Sequence, residues 1–398
     1  MSENACLFNP TNIDLKVLAQ RAHNLRWAEL PTGVIPLTAA DPDFPAASVI
    51  TEAIVRYTSS NYYSYSAPKG YLPFREAMAA YMQTRRSYSV GVEGVLPVDS
   101  AAFGIYLTCK TFLNKGDEAI VFDPVDFLFA YSVEAVGGVA VRFPIPAGTD
   151  RVDFDSMESL LTPRTKLICL CNPLNPTGKV FTREELLQLA AFAEKHNLYI
   201  LSDEIWSDIV FQPHAFTSIA SLDKTVADRT ITVTGFSKSY GLAGMRLGAV
   251  MATDPVLFER LFENSLHSTT IHGVNILAQV AGTAALNEAQ DWLAGFIQHL
   301  QRMRDLTVSR MNAIPGFHCL SPQGCYVALV DVRGTGLSSA DLQARLLKEA
   351  KVAVVPGLER WFGPAAAGTI RISFATTEEI LTTAFDRIEK NIAGLCAS

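Results

Sequence analysis

Lys238 and Arg246 lie close together in the run Thr234-Gly-Phe-Ser-Lys-Ser-Tyr-Gly-Leu-Ala-Gly-Met-Arg246, which otherwise consists of small, hydroxyl and apolar residues. A lysine with few charges around it becomes a nucleophilic amine when burial or a neighbouring cation lowers its pKa. An arginine one short loop away supplies such a cation and a two-pronged seat for a phosphate. Together they suit pyridoxal phosphate held as a Schiff base. Taken alone, the run equally fits a surface lysine and arginine around a glycine-rich turn.

Other residues add chemistry at a distance. Asn172-Pro-Leu-Asn175-Pro-Thr-Gly178 forms a rigid turn after an apolar stretch. Asp203, in Ser202-Asp203-Glu204, puts a carboxylate after another such stretch. Ser100-Ala101-Ala102-Phe103 stands between a strand and a helix, where backbone N–H groups can cradle a phosphate. Arg371 sits in the apolar stretch Thr369-Ile-Arg-Ile-Ser-Phe-Ala375, where a buried cation needs an anionic partner. Each has a plain alternative: a common Asn-Pro turn, a capping aspartate, a structural ion pair.

These residues need a scaffold, and the chain provides an α/β pattern. Buried-strand candidates fall at 118–122, 138–143, 166–171, 198–202, 230–234 and 247–252, with amphipathic helical stretches between them. The spacing predicts a large domain over 46–285 with a mostly parallel sheet flanked by helices. Asn175, Asp203 and Lys238 would all follow its strands, at the edge where open α/β sheets place ligands. A helix is expected over 182–196, with Thr182 and Glu185 forming a capping box. One long helical tract is expected over about 274–311. Strands near 325–331, 352–355 and 369–374, with helices near 338–349 and 377–393, predict a smaller α+β domain over 286–398. The N-terminal segment 1–45 is expected to pack on it.

Bulk properties narrow the function. About half of the 398 residues are hydrophobic, enough for a large core, and 33 basic against 40 acidic residues give a net charge of −7. No basic cluster points to nucleic acid or an anionic membrane, and no apolar run is long enough to span a bilayer. The first residues lack a secretory pattern, and the seven cysteines read as reduced core residues, so a cytoplasmic protein is expected. Cys169-Leu-Cys171, without a second pair nearby, is a weak case for metal, and none is expected.

In joint order and spacing these motifs resemble the fold-type I pyridoxal phosphate enzymes of the class I/II aminotransferase superfamily. The resemblance runs from Pro36-Leu-Thr-Ala-Ala40-Asp-Pro-Asp-Phe44 through Tyr62-Tyr-Ser-Tyr65 to Arg371. It implies that Lys238 holds the cofactor and then moves the substrate's Cα proton. It implies that Asp203 pairs with the pyridine nitrogen and Asn175 with the ring's phenolic oxygen. Ser237, Arg246 and the Ser100–Ala102 segment would hold the phosphate. Arg371 would grip the substrate's α-carboxylate, with Ala40 beside it. Tyr65 would reach the phosphate of a neighbouring subunit, making a homodimer with shared sites.

Two positions depart from the family pattern. An Asp-x-x-Tyr is usual at the pyridine carboxylate, and here Trp206 replaces the tyrosine. Its indole N–H donates but cannot accept or ionise. The ring that stacks on the cofactor usually comes from Pro-x-aromatic, and the chain has Pro124-Val-Asp126-Phe127. Either Phe127 stacks from a shifted loop, or Asp126 faces the cofactor cavity and meets a cationic substrate side chain or works there as an acid or base. A solvated or helix-capping Asp126 is the bland alternative.

The segment from Asp203 to Leu222, with Ala40-Asp-Pro-Asp-Phe-Pro45, is similar to cystathionine β-lyase-like C–S lyases. The Lys238 run and the stretch 62–78 look more like aminotransferases. Three functions follow: an aminotransferase; a β/γ-eliminating lyase or cyclase acting on a substituted, basic, hydroxyarginine-like amino acid; and a non-catalytic cofactor-binding regulator. The aminotransferase is the first expectation, and the retained lysine argues against the regulator.

Overall fold

A computed structural model describes residues 8–145 and 151–393. The N-terminal segment carries β1 (Ile35–Pro36). Beyond it β2 (Val95–Val98), β3 (Glu118–Asp123), β4 (Val139–Pro144), β5 (Thr165–Cys171), β6 (Tyr199–Asp203), β7 (Thr230–Gly235) and β8 (Gly248–Met251) form one seven-stranded sheet. Its order is β2-β8-β7-β6-β5-β3-β4, and β8 alone runs antiparallel to its neighbours. β3, β5 and β7 are rich in β-branched and other apolar residues and are buried nearly throughout, as strands covered on both faces must be.

β2 is the strand expected ahead of Ser100. Pro97 interrupts its pattern, and it is tolerated because β2 lies at the sheet edge, with a partner on one side only. The helix Arg183–Lys195 forms as expected, with Thr182 accepting from the Glu185 N–H and the Glu185 side chain closing the capping box.

The second layer of structure is smaller. β9 (His318–Cys319), β10 (Val327–Asp331), β12 (Val355–Pro356) and β13 (Thr369–Ser373) make an antiparallel sheet in the order β12-β13-β10-β9. β11 (Val352–Ala353) pairs in parallel with β1, tying the N-terminal segment to this part of the chain. Phe8 inserts its ring among Phe44, Trp292 and Phe296, at centroid distances of 5.2, 5.4 and 5.5 Å. A buried ion pair joins Arg26 to Asp43, which also accepts from Trp27 Nε1 at 2.7 Å. These contacts fix the segment that passes over the mouth of the cavity described below.

The tract 274–311 is two helices, Ile276–Glu288 and Gln290–Ala313. No glycine or proline marks the break. The Gln290 side chain makes it, donating Nε2 to the Ala285 and Leu286 carbonyls at 3.3 and 3.0 Å and so closing the first helix. The helix expected over 338–349 is regular over Ser339–Arg345 and widens to a π turn over Leu346–Ala350.

Candidate active site

The loops that follow β2, β3, β5, β6 and β7 meet at the sheet's carboxyl edge around a cavity of about 370 Å³. Ala40, Ser100, Ala101, Ala102, Asp126, Phe127, Asn175, Asp203, Trp206, Ser237, Lys238, Arg246 and Arg371 all line it, so residues spread over most of the sequence share one space. Tyr65 does not line it; its ring is 87% exposed and lies 5.4 Å from that of His272.

At one end the helix Ala101–Phe112 starts. Ser100 caps it by accepting from the Phe103 N–H, which leaves the Ala101 and Ala102 N–H groups without acceptors among the described residues. The helix can begin this close to the sheet because residue 248 is glycine: a Cβ there would come within 2.8 Å of Ala101 N. Arg246, held at φ 54°, lines the same cavity, and its guanidinium has no hydrogen bond or ion pair among the described residues.

Lys238 occupies the middle, following β7. Its Nζ donates to the Ala40 carbonyl at 2.6 Å and lies 5.4 Å from the Trp206 ring. Burial pulls its pKa below the ordinary lysine value, partly opposed by the carboxylate of Asp41, so the amine is biased toward its nucleophilic form. Ala40's carbonyl also accepts from the Tyr326 hydroxyl at 3.1 Å. Trp206 is buried edge-to-face on Tyr326, with centroids 4.7 Å apart. Asp203, at the end of β6, is pushed up to about 7 by burial, although the Ile205 N–H bonded to it at 3.1 Å acts in the opposite direction. On the neighbouring position Glu204 is buried, accepts from Ser202 and Ser218 at 3.0 and 2.6 Å, and is likewise raised to about 7 by burial.

The far end is wired side chain to side chain. Arg371, buried on β13, donates to the Asn175 Oδ1 at 3.2 Å and to the Thr38 carbonyl at 3.0 Å, while its Nε has no partner. Asn175 Nδ2 donates to Asp126 Oδ2 at 2.9 Å. Gly178 ends the Asn175 turn at φ 74°, and a Cβ there would lie 2.5 Å from Pro322, so the turn docks closely on the smaller sheet's side of the molecule. Asp126 combines two of its expected alternatives: Oδ1 accepts from the Leu128 N–H at 3.2 Å as a local cap, and the residue lines the cavity. Phe127 lines the cavity beside it, 38% exposed and edge-on to Trp361 at 5.6 Å.

Several lining residues were not singled out from sequence. Asn24 and Leu25 carry consecutive positive φ angles, 60° and 62°, and His-Asn-Leu-Arg bears no glycine to announce that turn. Trp361 and Phe362 also line the cavity, with the Arg371 guanidinium 5.1 Å from the Phe362 ring. Their signal was an aromatic pair between Gly357 and Gly363, in what folds as the short helix Glu359–Phe362.

The donor set fits pyridoxal phosphate. Free amides and an unpaired arginine await a phosphate, a carboxyl raised to about 7 can meet a ring nitrogen, and a lysine of lowered pKa lies between them. The chain belongs to the family described as Aminotransferase class I and II, whose sequence profile matches residues 32–388. It is 31% identical over 366 residues to the aspartate aminotransferase of Pyrococcus horikoshii, covering 91% of each chain. It is 30% identical over 362 residues to a cystathionine beta-lyase of Bacillus subtilis, covering 90% of this chain and 92% of that one. Cystalysin from Treponema denticola, whose structure contains pyridoxal 5′-phosphate, shares the fold with a TM-score of 0.88 at 21% identity, over 95% of this chain and 97% of that one. The protein is a pyridoxal phosphate-dependent enzyme of amino-acid chemistry.

Proposed function

We propose that the enzyme is an aminotransferase, moving the amino group of an L-α-amino acid to a 2-oxoacid. The observation that carries this is that Lys238, Arg371 and the buried Asp203 line one cavity, with Lys238 within electrostatic reach of both. Pyridoxal phosphate, when bound, supplies the electron sink that makes a Cα proton removable. Ser237, Arg246 and the Ala101 and Ala102 amides would hold its phosphate, Asp203 would keep its ring nitrogen protonated, and Asn175 would donate to its phenolic oxygen. Arg371 pairs with the substrate's α-carboxylate in a fork, which orients the Cα–H bond toward Lys238. Lys238 Nζ takes that proton, its lowered pKa favouring the neutral amine that a base needs. The buried Ala40 and Trp206 beside Nζ keep water from competing for the proton.

A β- or γ-eliminating lyase or cyclase is the second reading, supported by Trp206 in place of a phenol and by the beta-lyase relative. Incubating the enzyme with single amino acids and no oxoacid separates the two. An aminotransferase is expected to release one equivalent of oxoacid per subunit and stop, whereas many equivalents of product without an acceptor would establish the lyase and refute transamination.

The working enzyme is inferred to be a homodimer. Tyr62, Tyr63 and Tyr65 are 77, 60 and 87% exposed, more apolar ring surface than a free face favours, and Tyr65 would serve the partner's phosphate. No helix of the described residues is long and apolar enough to cross a membrane. The five described cysteines are buried and unpaired, in keeping with a cytoplasmic enzyme.

A further inference from the structure

The cavity's charges do not cancel once its occupants are counted, a count that rests on the function proposed above. Its cations are Lys238, Arg246 and Arg371, and its anions are Asp126 and Asp203. A phosphate neutralises Arg246 and the helix amides, a protonated ring nitrogen neutralises Asp203, and an α-carboxylate neutralises Arg371. Lys238 loses its charge when it becomes a base. Asp126 is left as an anion with no cation of its own.

Its geometry shows what it could meet. Both hydrogen bonds it accepts come from neutral donors, the Leu128 N–H and the Asn175 amide, and each carboxylate oxygen keeps a further lone pair. One amide group separates it from the guanidinium of Arg371. A substrate held by its α-carboxylate at Arg371 therefore lies next to Asp126, in the cavity that both residues line. Phe127 and Trp361 border the same part of the cavity, and the Phe127 N–H donates to the Trp361 carbonyl at 2.9 Å. Aromatic rings beside a carboxylate favour a cation, a planar guanidinium above all.

We propose that Asp126 selects the substrate: the amino donor carries a cationic side chain, guanidinium or ammonium, whose charge pairs with this carboxylate. Burial raises the pKa of Asp126, with Arg371 opposing, and a cationic partner removes the cost of keeping it ionised. A neutral side chain would leave it either unpaired or protonated.

The test uses substrates that differ in charge and little in shape. The holoenzyme is expected to prefer L-arginine to L-citrulline, or L-lysine to L-norleucine, by about tenfold or more in kcat/KM, the fold-change of a charged hydrogen bond. Which pair shows the larger ratio distinguishes guanidinium from ammonium. Asp126→Asn is expected to bring that ratio close to one while retaining the cofactor's absorbance. Calorimetry adds a measurement without turnover: the substitution should weaken binding of deamino-arginine about tenfold and leave deamino-citrulline unchanged. Ratios near one in the wild type for both pairs, or equal losses on charged and neutral partners in Asp126→Asn, would overturn the proposal. If transamination failed but the calorimetric preference held, the function proposed above would fall and this assignment would stand.

Discussion

The two ends of the cavity are built on opposite plans. At the phosphate end the donors are open: the Ala101 and Ala102 amides and the Arg246 guanidinium have no partner among the described residues. They come from a helix start and one short loop, so local backbone geometry places them. At the substrate end Asp126, Asn175 and Arg371 already bond to one another, from loops and strands far apart in the sequence. The open end needs only a phosphate to complete it. In the wired end every substitution also frees a neighbour's polar group, which makes it the part that individualises the reaction.

The largest effect is expected from Lys238→Ala, which removes the group between the two ends. Loss of the amine should abolish the absorbance band of the lysine-bound cofactor and lower turnover roughly 10⁴-fold or more. Persistence of that band would remove Lys238 from the chemistry and with it the division of the cavity into two ends.

Arg246→Ala sharpens the contrast from the open side. It should weaken cofactor binding about 10- to 100-fold, the worth of a charge-assisted contact to phosphate. At saturating cofactor, the preference between cationic and neutral amino acids should stay as in the wild type. A changed preference would mean that the ends are coupled, contrary to the separation seen in their hydrogen bonds. Cofactor affinity is read by titrating the apoenzyme and substrate preference by kcat/KM.

The open end was the more legible in sequence for the same structural reason. Ser100-Ala101-Ala102 and the Lys238–Arg246 run are contiguous segments, and a helix start or a glycine-rich loop has nearly the same shape wherever it occurs. The strands of the large sheet were legible as apolar runs, apart from β2, which Pro97 interrupts and which was legible only as the strand ahead of Ser100. The helix break at Ala289 was not legible, because a glutamine side chain rather than a glycine or proline ends the first helix. Asp126 could be seen as an anomaly of pattern, but its partner Asn175 depends on how two loops meet. Asn24, Leu25, Trp361 and Phe362 reach the cavity through the fold of the N-terminal segment and a loop after β12, contacts that no local spacing encodes.

The smallest effect comes from pH, and it isolates one group in the middle of the cavity. Burial raises Asp203 to about 7 in the folded apoenzyme, well above an ordinary carboxyl in the unfolded chain, near 4. Below about pH 4 the group is protonated in both states, and its contribution to stability is fully present. Between about pH 4 and 7 the unfolded chain releases the proton while the folded one holds it, so stability falls as pH rises and is lost through the folded pKa. Glu204, raised for the same reason, adds to the fall in apoenzyme and holoenzyme alike. A protonated ring nitrogen beside Asp203 favours the ionised carboxylate and removes its share of the loss. The gap in apparent Tm between holoenzyme and apoenzyme should therefore widen as pH rises from 5 to 8, by about one degree for each kcal/mol involved. Asp203→Asn should flatten that widening while leaving the phosphate end intact. A gap that stays constant with pH in the wild type would show that Asp203 does not meet the cofactor as a buried, titrating carboxyl.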